Sequence, residues 1–123
     1  MDRRKKILVV DDDVDIVRIV TKMLSREEHE VETASSGEEA LEKISLRKPD
    51  IILLDIMMPR MNGLEALRKI KDIDPSIYII MITAFGDIDS YLDAMEWGAF
   101  EYINKPFETE ELLRMINKTS LPA

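Results

Sequence analysis

Residues 77–82 read Ile-Tyr-Ile-Ile-Met-Ile, six positions without one charged or strongly polar side chain. A strand with one wet face alternates apolar and polar residues, so a strand that does not alternate is covered on both faces. That arises in the middle of a parallel sheet with helices packed on each side. Two more continuous apolar runs occur at residues 7–10, Ile-Leu-Val-Val, and 51–54, Ile-Ile-Leu-Leu. A chain holding three such strands must supply helices to bury them.

The segments between the runs have the helical period. Residues 14–24 are helical in pattern, residues 29–34 read as a short strand, and Ser36-Gly37-Glu38-Glu39 is a capping box that opens a helix with Ala40, Leu41 and Ile44 facing inward. Beyond the strand at 51–54 and a loop holding Pro59 and Gly63, Leu64, Leu67 and Ile70 recur at helical spacing. A helix over about 87–97 stops at Gly98, a short strand covers 101–103, and Thr109 is expected to cap a last helix running through Ile116. The pattern is (βα)5, an α/β chain with one parallel sheet, right-handed crossovers and helices on both faces.

At 123 residues the chain is expected to be a single domain, with a core over about 6–118 and no effector domain in this chain. A formal charge of −8 argues against direct binding to nucleic acid or an acidic membrane. There is no cysteine and one histidine, His29, so thiolate chemistry and histidine-cluster metal sites are excluded. Any metal must be bound by oxygen. The apolar run behind the basic opening is too short for a signal-peptide core or a membrane span, and a cytoplasmic protein is the expectation.

Sheets of this class bind ligands beyond the carboxyl ends of their strands. What stands there is Asp11, Asp12 and Asp13 after the first strand, Asp55 after the third, Thr83 after the fourth, and Asn104 and Lys105 after the fifth. Asp13 is read as the N-cap of the first helix. If the first and third strands are neighbours, Asp55 meets Asp11 and Asp12, and two carboxylates about 4 Å apart repel by about 4 kcal/mol at an effective dielectric of 20. That cost calls for a cation. Carboxylate oxygens select Mg²⁺ or Mn²⁺, which bind few protein ligands and keep sites for water and a phosphate oxygen. Lys105 and Thr83 add an ammonium and a hydroxyl suited to gripping a transferred phosphoryl group, with a carboxylate as nucleophile.

These residues resemble a known family. ILVVDD, LLDIMMPRMNG, MITA and YINKPF, in that order, are similar to the motifs of the receiver domain of bacterial two-component response regulators, and the likeness runs from about residue 6 to 118. The resemblance implies a doubly wound, flavodoxin-like sheet of order 2-1-3-4-5. It implies that Asp55 is the phosphoacceptor, Asp12 a direct Mg²⁺ ligand, Asp11 a carboxylate acting mainly through metal-bound water, and Met57 a ligand through its backbone carbonyl. Lys105 would pair with the phosphoryl group, Thr83 would swing to it, and Tyr102 would be the switch aromatic that follows Thr83. Met57 and Phe85 would tune the lifetime of the phosphate, and Lys105-Pro106 resembles the family's cis peptide.

The same resemblance implies a sensor histidine kinase or phosphotransfer protein as donor. It also implies output to a downstream effector, or to a homodimer, through the face made by the fourth helix, fifth strand and fifth helix. On the first helix, Val17, Val20 and Leu24 form a stripe that Ile16, Ile19 and Met23 widen to roughly 160°, more than one core face needs. Ile16, Ile19, Pro106 and Phe107 are the expected partner contacts, against the alternative of a deeply buried helix. Tyr91, Trp97 and Phe100 are expected to be core residues.

Three other readings compete with this one. A haloacid-dehalogenase-type phosphatase also uses a first-strand aspartate, but its motif wants Thr or Val where Asp15 stands, and no acidic pair follows Lys105 on another strand. A flavodoxin-like electron carrier needs a phosphate-cradling loop where Asp11 to Asp13 would repel one. A degenerate receiver acting only as a binding module is the third.

Overall fold

The computed structural model describes residues 4–84 and 86–119. Phe85, expected beside Thr83, lies outside the described residues. Strands and helices alternate strictly: β1 (Lys6–Val10), α1 (Val14–Arg26), β2 (Glu30–Ala34), α2 (Gly37–Leu46), β3 (Ile51–Asp55), α3 (Gly63–Ile73), β4 (Tyr78–Thr83), α4 (Ile88–Glu96), β5 (Glu101–Asn104) and α5 (Thr109–Lys118). The sheet has the order β2-β1-β3-β4-β5, every pair parallel, as expected.

The unbroken apolar runs split between two cores by the two-residue period of a strand. Leu8, Val10, Ile52, Leu54, Ile79 and Met81 face α2, α3 and α4, meeting Ala40, Ala66, Leu67, Ile70 and Ala94. Ile7, Val9, Ile51, Leu53, Ile80 and Ile82 face the other way, onto Val20 and Leu24 of α1 and Leu112 and Ile116 of α5. Burying one such Ile or Leu is worth about 2 kcal/mol, so both faces of β1, β3 and β4 hold the fold together. The edge strand β2 carries Glu30 and Glu32, charges that discourage pairing with a second sheet.

The helix starts follow the caps, with two corrections. Asp13 accepts the N–H groups of Asp15 and Ile16 at 3.0 and 3.4 Å, as read from the sequence, and Asn62 and Asp87 cap α3 and α4 in the same way. Ser36 Oγ accepts the Glu39 N–H at 3.0 Å, but the Glu39 carboxylate returns to the N–H and hydroxyl of Ser35 at 2.7 and 3.0 Å. The reciprocal half of the capping box is therefore displaced by one residue. Thr109 is the first helical residue of α5, not its cap; Glu108 holds the cap position without a side-chain bond. Helix α4 ends as Gly98 predicts, with φ +102°, its N–H on Met95 O at 3.2 Å and the Ala99 N–H on Ala94 O at 2.9 Å. Helix α1 ends in the same motif with Glu28, φ +68°, where a glycine is usual.

The aromatic expectation holds in part. Phe100 is half-buried and packs edge-on to Tyr78 at 5.0 Å, and Trp97 is half-buried beneath the Arg68 guanidinium at 4.8 Å. Tyr91 is exposed, because it sits on the outer side of α4. Among the described residues no helix is long and apolar enough to cross a membrane.

Candidate functional site: an acidic pocket at the strand ends

Register builds the site. Val10 pairs with Leu54 and Asp55 with Ile82, so the residues leaving β1 and β3 emerge side by side at the carboxyl edge, where β1 is flanked by β2 and β3. Asp11, Asp12 and Asp55 each offer a carboxylate oxygen, and these oxygens lie within 4.8 Å of one another. Asp11 and Asp55 are buried and Asp12 is exposed. Lys105, from the end of β5, reaches between the buried two: Nζ is 2.7 Å from Asp11 Oδ2 and 3.6 Å from Asp55 Oδ2. The Lys105-Pro106 bond is cis, as the resemblance implied.

Backbone donors add to this. Asp11 Oδ1 accepts the Asp13 N–H at 3.0 Å and Asp55 Oδ1 the Met57 N–H at 3.4 Å. The loop from β3 to α3 folds back tightly, with the Gly63 N–H on Ile56 O at 2.8 Å. A Cβ at Gly63 would lie 2.1 Å from Asp55 O and 2.7 Å from Ile56 Cα, so only glycine lets this loop close over the end of β3. The Asn-Gly pair at 62–63 is the sequence signal for that closure, beyond the loop that Pro59 and Gly63 mark by composition alone.

Burial pushes the Asp55 carboxyl up to about 6, helped by the nearby Asp11 charge; Lys105 and the Met57 N–H pull the other way and lose. Burial alone would lower Lys105, but its hydrogen bond to Asp11 and the fields of both aspartates outweigh that and raise it. Three carboxylates and one ammonium leave a double negative charge, which a divalent cation with oxygen preference matches. The pocket is therefore a fit for such an ion, and its donors are all hard.

The other predicted residues are distributed around this pocket. Thr83 ends β4 fully buried, and its carbonyl accepts the Lys105 N–H at 2.8 Å. Met57 is exposed beside Asp55. Tyr102 lies back along β5, half-buried, its ring edge-on to Tyr91 at 5.4 Å and its hydroxyl enclosed without a hydrogen-bond partner among the described residues. Burial and then Asp87 raise its pKa. On α1, Ile19 is 57% exposed, whereas Ile16, Val17 and Met23 pack partly against the core; Pro106 is exposed and Phe107 half-buried. The alternative of a deeply buried α1 does not hold. The pocket is recognised by its charge; hollows of about 380 and 490 Å³ open at the opposite edge of the sheet, among Arg4, Lys5, Asp50 and His29.

The model of the response regulator receiver domain family matches residues 7–117. The chain belongs to that family. It is 34% identical over 114 residues to sporulation initiation phosphotransferase F of Bacillus subtilis, covering 93% of this chain and 92% of that protein. It is 46% identical over 109 residues to the probable transcriptional regulator ycf27 of Cyanophora paradoxa, covering 89% of this chain and 45% of that one. The chain thus spans about half the length of some curated relatives it matches. A crystal structure of a receiver domain protein from Methanospirillum hungatei superposes with a TM-score of 0.91 at 35% identity, covering 94% of this chain and 92% of that one. This is a receiver domain of the two-component type, a signalling domain. The family match does not favour the phosphatase or electron-carrier readings, and the assembled pocket does not favour the degenerate one.

Proposed function

We propose that Asp55 accepts a phosphoryl group from a phosphohistidine of a sensor histidine kinase or phosphotransfer protein. The observation that supports this most is the pocket in which two buried carboxylates and a third, gathered from the ends of two strands, enclose one lysine. Asp11, Asp12, Asp55 and the Met57 carbonyl would hold Mg²⁺, with Mn²⁺ able to substitute. When bound, the ion supplies charge neutralisation for the carboxylates and for the oxygens of the incoming group.

A carboxylate oxygen of Asp55 forms the new O–P bond as the donor's P–N bond breaks, and the imidazole leaves with the bonding pair. Lys105, held by Asp11 at rest, exchanges that partner for a phosphoryl oxygen, and the Thr83 hydroxyl donates to another. The product carries about 1.5 to 2 extra negative charges in a pocket already crowded with them. The chain catalyses its own phosphorylation and, with water as acceptor, its own dephosphorylation. Thr83 and Tyr102 then bias the population toward a second packing of α4, β5 and α5.

The unit 1–123, with its core over 6–118, works as one cytoplasmic receiver. Ile16, Ile19, Pro106 and Phe107 meet the donor protein. Output leaves through the α4–β5–α5 face, to a downstream effector or a second copy of the chain. Incubation with Mg²⁺ and acetyl phosphate is expected to give one phosphoryl adduct by mass, stable in acid and labile in base, and none with EDTA. Unchanged labelling of Asp55→Asn at the same rate would overturn the assignment.

A further inference from the structure

We propose that the outer face of α4 docks a basic, amphipathic segment of a partner protein, and not a second copy of this chain. The inference rests on the receiver reading and names the chemistry of its output partner. Ile88, Leu92 and Tyr91 are 73%, 54% and 43% exposed. At 100° per residue Ile88 and Leu92 stand about 40° apart and Tyr91 about 60° to one side, so the three form one apolar stripe along a nine-residue helix. Tyr91 is anchored edge-on against Tyr102, which ties the stripe to β5.

Charge decides what covers it. From Gly86 to Asn104 there are five acids, Asp87, Asp89, Asp93, Glu96 and Glu101, and no Lys or Arg. None of Asp89, Asp93 and Glu96 is in an ion pair among the described residues. The cations that follow in the chain are three: Lys105 is turned into the acidic pocket, Lys118 is 3.5 Å from Glu101, and Arg114 shares α5 with Glu110 and Glu111; those of α3, Arg68 over the Trp97 ring and Lys71 beside Gly98, stand at the carboxyl end of α4. A two-fold dimer would lay the same patch on itself, acid against acid within a Debye length of about 8 Å. A partner that brings leucine-like side chains flanked by Lys or Arg meets the stripe and its acidic rim together.

The test uses the full chain, ¹⁵N-labelled, and two helical model peptides with the same leucine spacing, one with lysine and one with glutamate at the polar positions. The lysine peptide is expected to shift the amides of Ile88, Tyr91 and Leu92, to bind about tenfold more weakly when salt is raised from about 0.05 to 0.5 M, and to lose about fivefold on Leu92→Ala. The double change Asp89→Lys with Asp93→Lys should transfer preference to the glutamate peptide. Equal binding of both peptides would overturn the proposal. So would shifts elsewhere than α4, or sedimentation showing a dimer that Leu92→Ala dissociates. Acetyl-phosphate labelling of the parent chain is scored separately: normal labelling without peptide binding tells against the docking face alone, whereas loss of Asp55 labelling tells against the receiver chemistry.

Discussion

The two edges of the sheet hold charge in opposite ways. At the amino edge charged groups pair with close partners: the Lys6 N–H meets the Asp50 carboxylate at 2.8 Å, Lys48 pairs with Asp74 at 2.6 Å, and Asp74 also accepts the Ser76 N–H and hydroxyl at 2.9 and 2.6 Å. Lys71 Nζ donates to the carbonyls of Pro75 and Ile77 at 3.1 and 2.7 Å. At the carboxyl edge two buried carboxylates share one ammonium, and burial holds Asp55 up at about 6. One edge is built for stability; the other keeps an unmet electrostatic demand where a ligand can meet it.

The sharpest way to break the contrast is at its two glycines. Gly63→Ala should destabilise by more than about 3 kcal/mol and abolish the response to divalent cations, because the new Cβ meets the backbone of Asp55 and Ile56 with nothing flexible to give way. Gly98→Ala, at the amino edge, has φ +102° but meets only Lys71 side-chain carbons at 3.4 Å and beyond. Its cost should be about 1 kcal/mol. Urea melts with and without Mg²⁺ check both, and equal costs would dissolve the distinction.

Lys105→Ala comes next. It strips the one cation from two buried carboxylates and should cost about 2 to 3 kcal/mol, toward the low side for a broken buried pair because the lysine side chain is 15% exposed. Mg²⁺ should return part of the loss. A variant as stable as the parent in EDTA would mean that the carboxylates are not under strain.

Asp55→Asn should act in the other direction. The folded carboxyl titrates near 6 and the unfolded one near 3.8, so between those values the folded state holds the extra proton and stability falls as pH rises. In EDTA at pH 7 the variant should be more stable than the parent by about 2 kcal/mol, with the gap closing by pH 4. Added Mg²⁺ should stabilise the parent and leave the variant nearly unmoved. A gap that is flat with pH would remove the electrostatic explanation.

How much of this was legible beforehand depends on the range of the interaction. The unbroken runs announce two-sided burial, and strand-end position alone lines up Asp11, Asp55, Thr83 and Lys105, because register in a parallel sheet carries all strand ends to one edge. What the chain does not spell out is side-chain reach. That Lys105 rests on Asp11 at 2.7 Å, more closely than on Asp55, depends on packing around β5. That Ile16 folds against the core while Ile19 stays outside depends on where α5 lies. The Glu28 turn of α1 has no glycine to advertise it, and the Glu39 carboxylate chose Ser35 over Ser36 by local geometry.

The smallest effect should come from the satisfied edge, and its sign completes the comparison. Hydrogen bonds from Lys48 and then Ser76 hold the Asp74 carboxyl well below the usual carboxylate range. A lowered folded pKa means stability that is present above the unfolded value near 3.8 and lost as pH falls below it. Because the pair is open to water, Asp74→Asn should lower Tm by about 2 °C or less at pH 7. The difference from the parent should fade on acidification below pH 4, and salt should shrink it. Over pH 4 to 6, where Asp55→Asn diverges from the parent, Asp74→Asn should run parallel to it. Thermal melts of the two variants on one pH grid in EDTA separate the edges: slopes of the same sign in both would show that the carboxyl edge is no more strained than the amino edge, and the case for a cation-demanding pocket would fall with that result.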